Sequence, residues 1–265
     1  MRKLATKSFL LILFFSAFAF AETYSKTEIK TFQISPSGKI VVDNVNGFIK
    51  VKSWDKDQVS LEITKTVRAD GQEEADKYFD RLRVEVENGN DYLNVRTHYP
   101  HDMGGGCGFF DWLFHGGLRY VNVEYVLIVP STAKLDLEST NGKIEVQAVT
   151  GDVKARSTNG RLRLDGVSGK IDASTTNGSI TASVVDADKF KEMRLRTTNG
   201  SIKIYCPKDI NADVYAHTTN GSIETEFPIA VSGTFNRKSL SGKINNGGKE
   251  IYLHTTNGSI EINKE

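Results

Sequence analysis

Four residues in one short stretch carry side chains that could do metal or nucleophilic chemistry: His98, His101, Cys107 and His115. Imidazole and thiolate are zinc ligands, so a bound metal is the first chemistry to weigh. Their spacing matches no ligand pattern, and the glycines between them make a poor scaffold for a rigid site. A Cys107 nucleophile paired with His115 would need an oxyanion donor and a third, orienting group, and neither can be named from the sequence. Glycan cleavage usually takes two cooperating carboxylates. The outward acids of the repeats, Asp136, Glu145, Asp172, Glu224 and Glu261, fall on scattered units, with no two expected side by side on one rank. No catalytic residue, metal or cofactor is therefore assigned, and the chain reads as a non-enzyme.

The same stretch holds the least explained feature of the chain, Phe109, Phe110, Trp112 and Phe114 between glycine-rich arms. Connections are usually polar. These rings are either a plug buried over the fold or an exposed patch held for a partner such as a glycan, a lipid surface or another protein. They are the candidate interaction loop.

The element that must position everything else is a repeat. Thr-Asn-Gly, with an Ile or Leu two residues further on, recurs at Asn141, Asn159, Asn177, Asn199, Asn220 and Asn257, and Asn46-Gly47 opens the series. Six and four residues before each Asn stand apolar pairs such as Leu135 and Leu137, Val153 and Ala155, and Ile171 and Ala173. Apolar ranks resume three and five residues after it. Alternation predicts strands with one buried face, and the change of parity at Asn-Gly predicts a corner, with positive φ expected there. A second corner follows at Val149-Thr150-Gly151, Val167-Ser168-Gly169 and Val231-Ser232-Gly233. The interval from Asn220 to Asn257 reads as holding a degenerate unit that turns at Ser241-Gly242.

A period near 20 points to a β-solenoid of stacked two-strand coils. Asn-Gly is also the strongest short hairpin signal, but a meander has no reason to alternate two turn types, and stacked Asn side chains can bond one another along an axis. Outward, a Thr precedes each Asn of the array. The next outward rank, Glu138, Arg156, Ser174, Arg196, His217, Arg237 and His254, is mixed, which argues against ice binding and leaves a mildly basic strip towards the C-terminus.

Residues 1–21 read as a secretory signal: Arg2, Lys3 and Lys7, then an apolar run, then Ala19-Phe20-Ala21. Its removal takes three of 34 basic residues against 33 acidic ones, so the mature chain is near neutral and nucleic acid is an unsuitable partner. No later stretch is long and apolar enough for a membrane span. Cys107 and Cys206 are either one bridge or two thiols. Residues 22–53 hold an N-terminal segment with a first coil. Residues 54–130 form an irregular α+β cap, with a helix around Ala75, Tyr78, Phe79 and Leu82, a hairpin at Asn88-Gly89-Asn90 and the glycine-aromatic loop 101–119. Residues 131–265 are solenoid repeats, for which Lys264 and Glu265 are the expected edge protection.

With these motifs in hand, the chain from about Ile40 to Ile262 resembles the bacterial "putative-adhesin" family of β-strand repeat proteins, a domain family of unknown function. The resemblance implies a β-solenoid-like domain at or outside the cell envelope and no catalytic residues. The stretch from His101 to Arg119 departs from the family pattern. The expectation is an exported, periplasmic, cell-surface or secreted protein of binding or structural type, meeting a glycan or a cell-surface protein. A polysaccharide lyase or hydrolase on a β-helix scaffold is the alternative.

Overall fold

The computed structural model describes residues 22–99, 121–231 and 236–265. The chain is mainly β. Strand β1 (Glu22–Gln33) precedes a first coil, β2 (Lys39–Asn46) and β3 (Ile49–Trp54). The chain then makes β4 (Gln58–Ala69), α1 (Gln72–Arg81), the hairpin β5 (Arg83–Asn88) and β6 (Tyr92–His98), and β7 (Val121–Pro130). Four coils follow in order, β8 (Lys134–Asn141) with β9 (Ile144–Gln147), β10 (Val153–Asn159) with β11 (Leu162–Val167), β12 (Gly169–Asn177) with β13 (Ile180–Val184), and β14 (Phe190–Asn199) with β15 (Ile202–Cys206). A sixth is β16 (Ala212–Asn220) with β17 (Ile223–Thr225). Strands β18 (Ile229–Val231) and β19 (Ser239–Ile244) intervene before the last coil, β20 (Lys249–Asn257) with β21 (Ile260–Lys264).

The first strand of every coil lies in one sheet and the second in the other, and like strands pair in parallel at matching offsets from Asn: Val153 faces Leu135 on one side and Ile171 on the other. The antiparallel meander is thereby excluded for the coils. Inward ranks one coil apart fill the space between the sheets. Leu135, Val153, Ile171, Met193, Ile251 and Val214 form one such rank, and Ile49, Ile144, Leu162, Ile180, Ile202, Ile260 and Ile223 form its counterpart, all buried. Together they make one continuous core. Helix α1 closes a small satellite core by setting Ala75 and Phe79 on Val67 and Ala69 of β4; Glu73 and Glu74 in its first turn and Arg81 in its last complement its dipole. Cys206 ends β15 as a buried free thiol, and burial pushes its pKa up to about 12.

The coils do not stack in chain order. Across the eleven-stranded sheet the order is β18-β19-β16-β20-β14-β12-β10-β8-β2-β6-β5, and across the ten-stranded sheet β1-β4-β7-β3-β9-β11-β13-β15-β21-β17. The last coil is therefore inserted between the fifth and the sixth, and the first coil is likewise interior, flanked by β6 and β7 on one side and by β8 and β9 on the other. Three expectations need correction. Ser241-Gly242 is not a turn: both residues lie inside β19, which runs antiparallel to β16. Lys264 and Glu265 do not protect an edge, because β21 is enclosed by β15 and β17; short β18 and β17 are the outermost strands there. Finally, β1 forms a twelve-residue strand along β4 where no strand was expected, since the face it shares with buried Phe32 carries Lys26, Glu28 and Lys30 rather than an apolar series.

The corners are built differently from expectation too. None of the ladder asparagines has positive φ: among the described residues, the non-glycine positions that do are Ala148 (57°) and Asn245 (50°). Each Asn instead remains in its strand and bonds the next. The Nδ2 groups of Asn141, Asn159, Asn177, Asn199, Asn257 and Asn220 donate to the Oδ1 atoms of Asn46, Asn141, Asn159, Asn177, Asn199 and Asn257 at 2.7–2.9 Å. Two residues earlier, an inward hydroxyl meets the neighbouring coil. Ser157, Thr175, Thr197, Thr255 and Thr218 donate to the carbonyls of Gly142, Gly160, Gly178, Gly200 and Gly258 at 2.8–3.0 Å. In the first coil Asn44 takes this position, with Nδ2 donating to the Val123 carbonyl at 2.8 Å and Oδ1 accepting from Thr97 at 3.0 Å.

The two ladders differ in exposure, and so in worth. Thr197 is buried, and replacing it with isosteric Val removes the donor from the partly buried Gly178 carbonyl, which costs about 1–3 kcal/mol. Asn177 is exposed, so water can replace its partners, and Asn177→Val is expected to cost about 1 kcal/mol. Urea denaturation of the two variants checks this order; an Asn177 variant losing more than the Thr197 variant would contradict it.

Candidate binding face on the eleven-stranded sheet

Phe109, Phe110, Trp112 and Phe114, and with them His101, Cys107 and His115, lie outside the described residues. His98 ends β6 and its Nε2 stands 2.7 Å from Glu85 Oε2 on the hairpin partner, as an ordinary cross-strand pair. Among the described residues no three His, Cys, Asp or Glu side chains converge as a metal site would require. No described helix is long and apolar enough to cross a membrane.

What the outer face of the eleven-stranded sheet presents depends on coil order. Over the first coils the charges cancel across neighbouring strands: Arg96 with Asp43 at 3.8 Å, Arg156 with Glu138 at 3.2 Å and Lys154 with Asp136 at 3.0 Å. Here the expectation about acids fails, because Asp43 lies directly opposite Glu138, and on the other sheet Glu224 lies opposite Glu261. Insertion of coils makes neighbours of units that are distant in the chain. Burial, then Glu138, raises the pKa of Asp43, while Arg96 and His98 oppose the rise. Asp43 and Glu138 are thus flanked by two arginines on a flat face, and Glu261 is held by Lys203 at 2.6 Å.

Over the last coils acids and cations separate into different outward rows: Glu192, Glu250 and Asp213 form one, and the cations stand in the rows beyond it. Strands β14, β20 and β16 are adjacent and in register, so that Arg194, Tyr252 and Tyr215 form one outward row and Arg196, His254 and His217 the next. Thr198, Thr256 and Thr219 stand one outward position further along, ahead of the Asn ladder. The Arg194 guanidinium lies 5.9 Å from the centre of the Tyr252 ring, close enough for a cation–π contact that holds the ring. The imidazoles of His217 and His254 are stacked, 5.5 Å apart and 13° from parallel. Tyr252 and Tyr215 are 39% and 47% exposed. Beside this array, on β12, the short side chain of Ser174 opens a groove of about 340 Å³ bordered by Arg196, His254, Thr176, Thr198 and Thr256. Asp172 is the acid among these rows and accepts from Arg196 at 3.3 Å. Burial first, then His217 and Arg196, lowers the pKa of His254. A flat, rigid surface with exposed rings, hydroxyls and cations in regular rows can bind; it offers no enclosed cleft in which a bond could be strained or water excluded.

The family model described as Toastrack DUF4097 matches residues 31–263. The chain belongs to this family. No curated protein matches the sequence. Among solved structures, a "putative cell adhesion protein" from Clostridium sporogenes is 13% identical with a TM-score of 0.53, over 91% of this chain and all of that one. A "putative adhesin" from Bacteroides fragilis is 12% identical with a TM-score of 0.29, over 91% and 97% of the two chains. The first likeness carries the fold, a Toastrack β-solenoid. Of the basic strip expected at Arg196, His217, Arg237 and His254, the structure brings Arg196, His254 and His217 into one row and leaves Arg237 in the turn before β19; the row of Arg194, Tyr252 and Tyr215 escaped sequence reasoning because Tyr215 and Tyr252 are 37 residues apart. The inward hydroxyl rank was legible, since Ser or Thr stands two residues before Asn in every unit of the array.

Proposed function

We propose that this Toastrack chain is an exported envelope protein of the binding type, and that the rows formed by Arg194, Tyr252, Tyr215, Arg196, His254 and His217 are its contact surface for a glycan. The observation that carries the reading is the convergence of exposed tyrosines, cations and hydroxyls on three adjacent coils, while the charges over the first coils of that sheet cancel in pairs. Aromatic rings with one face open, bordered by hydrogen-bonding groups, suit the alternating apolar and hydroxylated surfaces of sugars. The name of the Clostridium relative supports an adhesive role. Residues 1–21 act as the export signal, Asn-Gly corners shape the coils, and the elements of residues 54–130 cover the first-coil end, as their place beside β2 and β3 suggests.

Binding of the mature protein to a glycan array, with release of reducing ends assayed alongside, tests this function. The double variant Tyr215→Ala/Tyr252→Ala is expected to lose binding at least about tenfold, since a ring at a contact centre is worth about 2 kcal/mol or more, with its melting temperature close to that of the parent. Deletion of residues 104–116 provides the contrast, because Tyr99 and Val121, which anchor that loop, sit by the first coil, away from β16 and β20. Binding lost with the loop and kept in the tyrosine variant would move the site to Phe109, Phe110, Trp112 and Phe114. Release of reducing ends would instead establish the carbohydrate-active enzyme.

A further inference from the structure

Resting on that reading, we infer that the glycan is acidic, with its anionic groups seated in the groove at Ser174 between Arg196 and His254 and its sugar rings lying over Tyr252 and Tyr215. At the groove itself the charge is cationic: Arg196 and His254 border it and Asp172 is the acid beside them, while the acidic outward row of Glu192, Glu250 and Asp213 lies beyond the tyrosine row, on the side away from the groove, with Glu192 held by Lys170 at 2.7 Å. Asp172 occupies Arg196 from one side at 3.3 Å. A guanidinium has five N–H donors in a planar fork, so Arg196 keeps donors for a second oxyanion. The hydroxyls of Thr176, Thr198 and Thr256 border the same groove, one from each of three adjacent coils, at the strand spacing of about 4.8 Å. The groove therefore runs across the strands and along the stack, and suits an extended chain that repeats its hydrogen-bonding groups rather than a single compact ion.

The histidines give this site a signature that a neutral ligand would not produce. The charged groups facing His254 are Asp172 from β12, Arg194 and Arg196 from β14, and His217 from β16. Burial and the two cationic neighbours hold its pKa below the ordinary histidine value. An anion laid against the imidazole favours its protonated form. Binding then takes up a proton, and affinity rises as the pH falls through the histidine range.

Titration calorimetry of the mature chain with two pairs matched in backbone and opposed in charge tests the inference: oligogalacturonate against its methyl ester, and dextran sulfate against dextran. The acidic member of at least one pair is expected to bind tenfold or more tighter than its neutral partner, and tighter still at pH 5.5 than at pH 7.5. Arg196→Gln should abolish the discrimination, and His217→Gln/His254→Gln should flatten the pH dependence. Ser174→Tyr, which fills the groove from outside the core, should block binding without lowering the melting temperature and so separates occupancy from folding. Equal binding of acidic and neutral partners, or acidic binding indifferent to Ser174→Tyr, overturns the inference and leaves the glycan-binding function standing. Capture by phosphatidylglycerol vesicles with no binding of any of the four probes overturns it in favour of a lipid surface. Failure of these probes and of every glycan on the array overturns the function as well.

Discussion

Deleting residues 249–265 is expected to abolish cooperative folding, although it removes only the last coil. In a solenoid stacked in chain order the final coil has one neighbour, and its loss trims the end. Here β20 is hydrogen-bonded to β14 and β16, and β21 to β15 and β17, so the deletion opens both sheets in mid-stack. It removes Ile251, Leu253, Ile260 and Ile262, each fully buried. Large-to-small changes at single sites of this kind cost about 2–5 kcal/mol each, and four of them together match or exceed the roughly 5–15 kcal/mol that holds a typical domain folded. Strands β16 and β17 would be cut off from β14 and β15 and left with their inward faces uncovered. The companion deletion of residues 22–33 removes β1, which among the described strands pairs with β4 alone, and is expected to leave a cooperative transition at a lower midpoint. Circular dichroism and calorimetric melts decide the matter. A sharp transition in the C-terminal deletion, within about 5 °C of the parent, a shift worth roughly 1–2 kcal/mol in a domain of this size, would mean that the last coil is dispensable and the inserted order wrong.

Gly178→Val is expected to cost about 3 kcal/mol or more, at or beyond the upper end of ordinary overpacking. The reason is stacking distance, not φ. A Cβ at Gly178 would overlap the carbonyl oxygen of Gly160, and the same holds at Gly160 against Gly142 and at Gly200 against Gly178. The obstacle is backbone in a hydrogen-bonded ladder, so relief requires parting two coils and breaking the Thr175 and Thr197 hydroxyl bonds that cross the same corners. Gly71→Ala is the control. It precedes α1 in extended backbone with no atom within 4 Å of an added Cβ, and its stability should change by less than about 1 kcal/mol. Guanidinium denaturation compares the two; similar midpoints would show that the corner has room the structure does not.

The positive φ expected at Asn-Gly is absent at every ladder asparagine, and both residues serve other ends. Asn is used for a side-chain ladder and Gly for close approach between carbonyl and Cα. Both motifs occur at corners with positive φ and at corners without it, so residue types alone could not separate the explanations. Helix α1 and the β5–β6 hairpin were legible from local patterns, an amphipathic face in one case and a short polar turn in the other. Strand β1 was not, because the face it shares with buried Phe32 carries Lys26, Glu28 and Lys30 in place of an apolar series; Lys26 finds Asp76 on α1 at 2.8 Å only in the fold, and Lys30 pairs with Glu28 along the strand at 3.0 Å.

By itself the sequence determined the coil: two strands whose apolar residues alternate, an Asn rank, a hydroxyl rank, a glycine at the close approach, and hence parallel stacking with fixed register. These depend on side-chain period and corner chemistry, which are local. Only the tertiary structure decided which coil lies on which. Every unit presents nearly the same rung to its neighbours, an apolar pair, then Ser or Thr, then Thr-Asn-Gly, so each coil fits against almost any other and the repeat carries no address. The order is settled by what is not repeated: the longer run from Asn220 to Asn257, in which β18 and β19 pair antiparallel beyond β16 and leave β20 to enter on its other side. That insertion places Tyr252 between Arg194 and Tyr215, and His254 between Arg196 and His217, and so assembles the proposed binding face, which the linear order of the chain conceals.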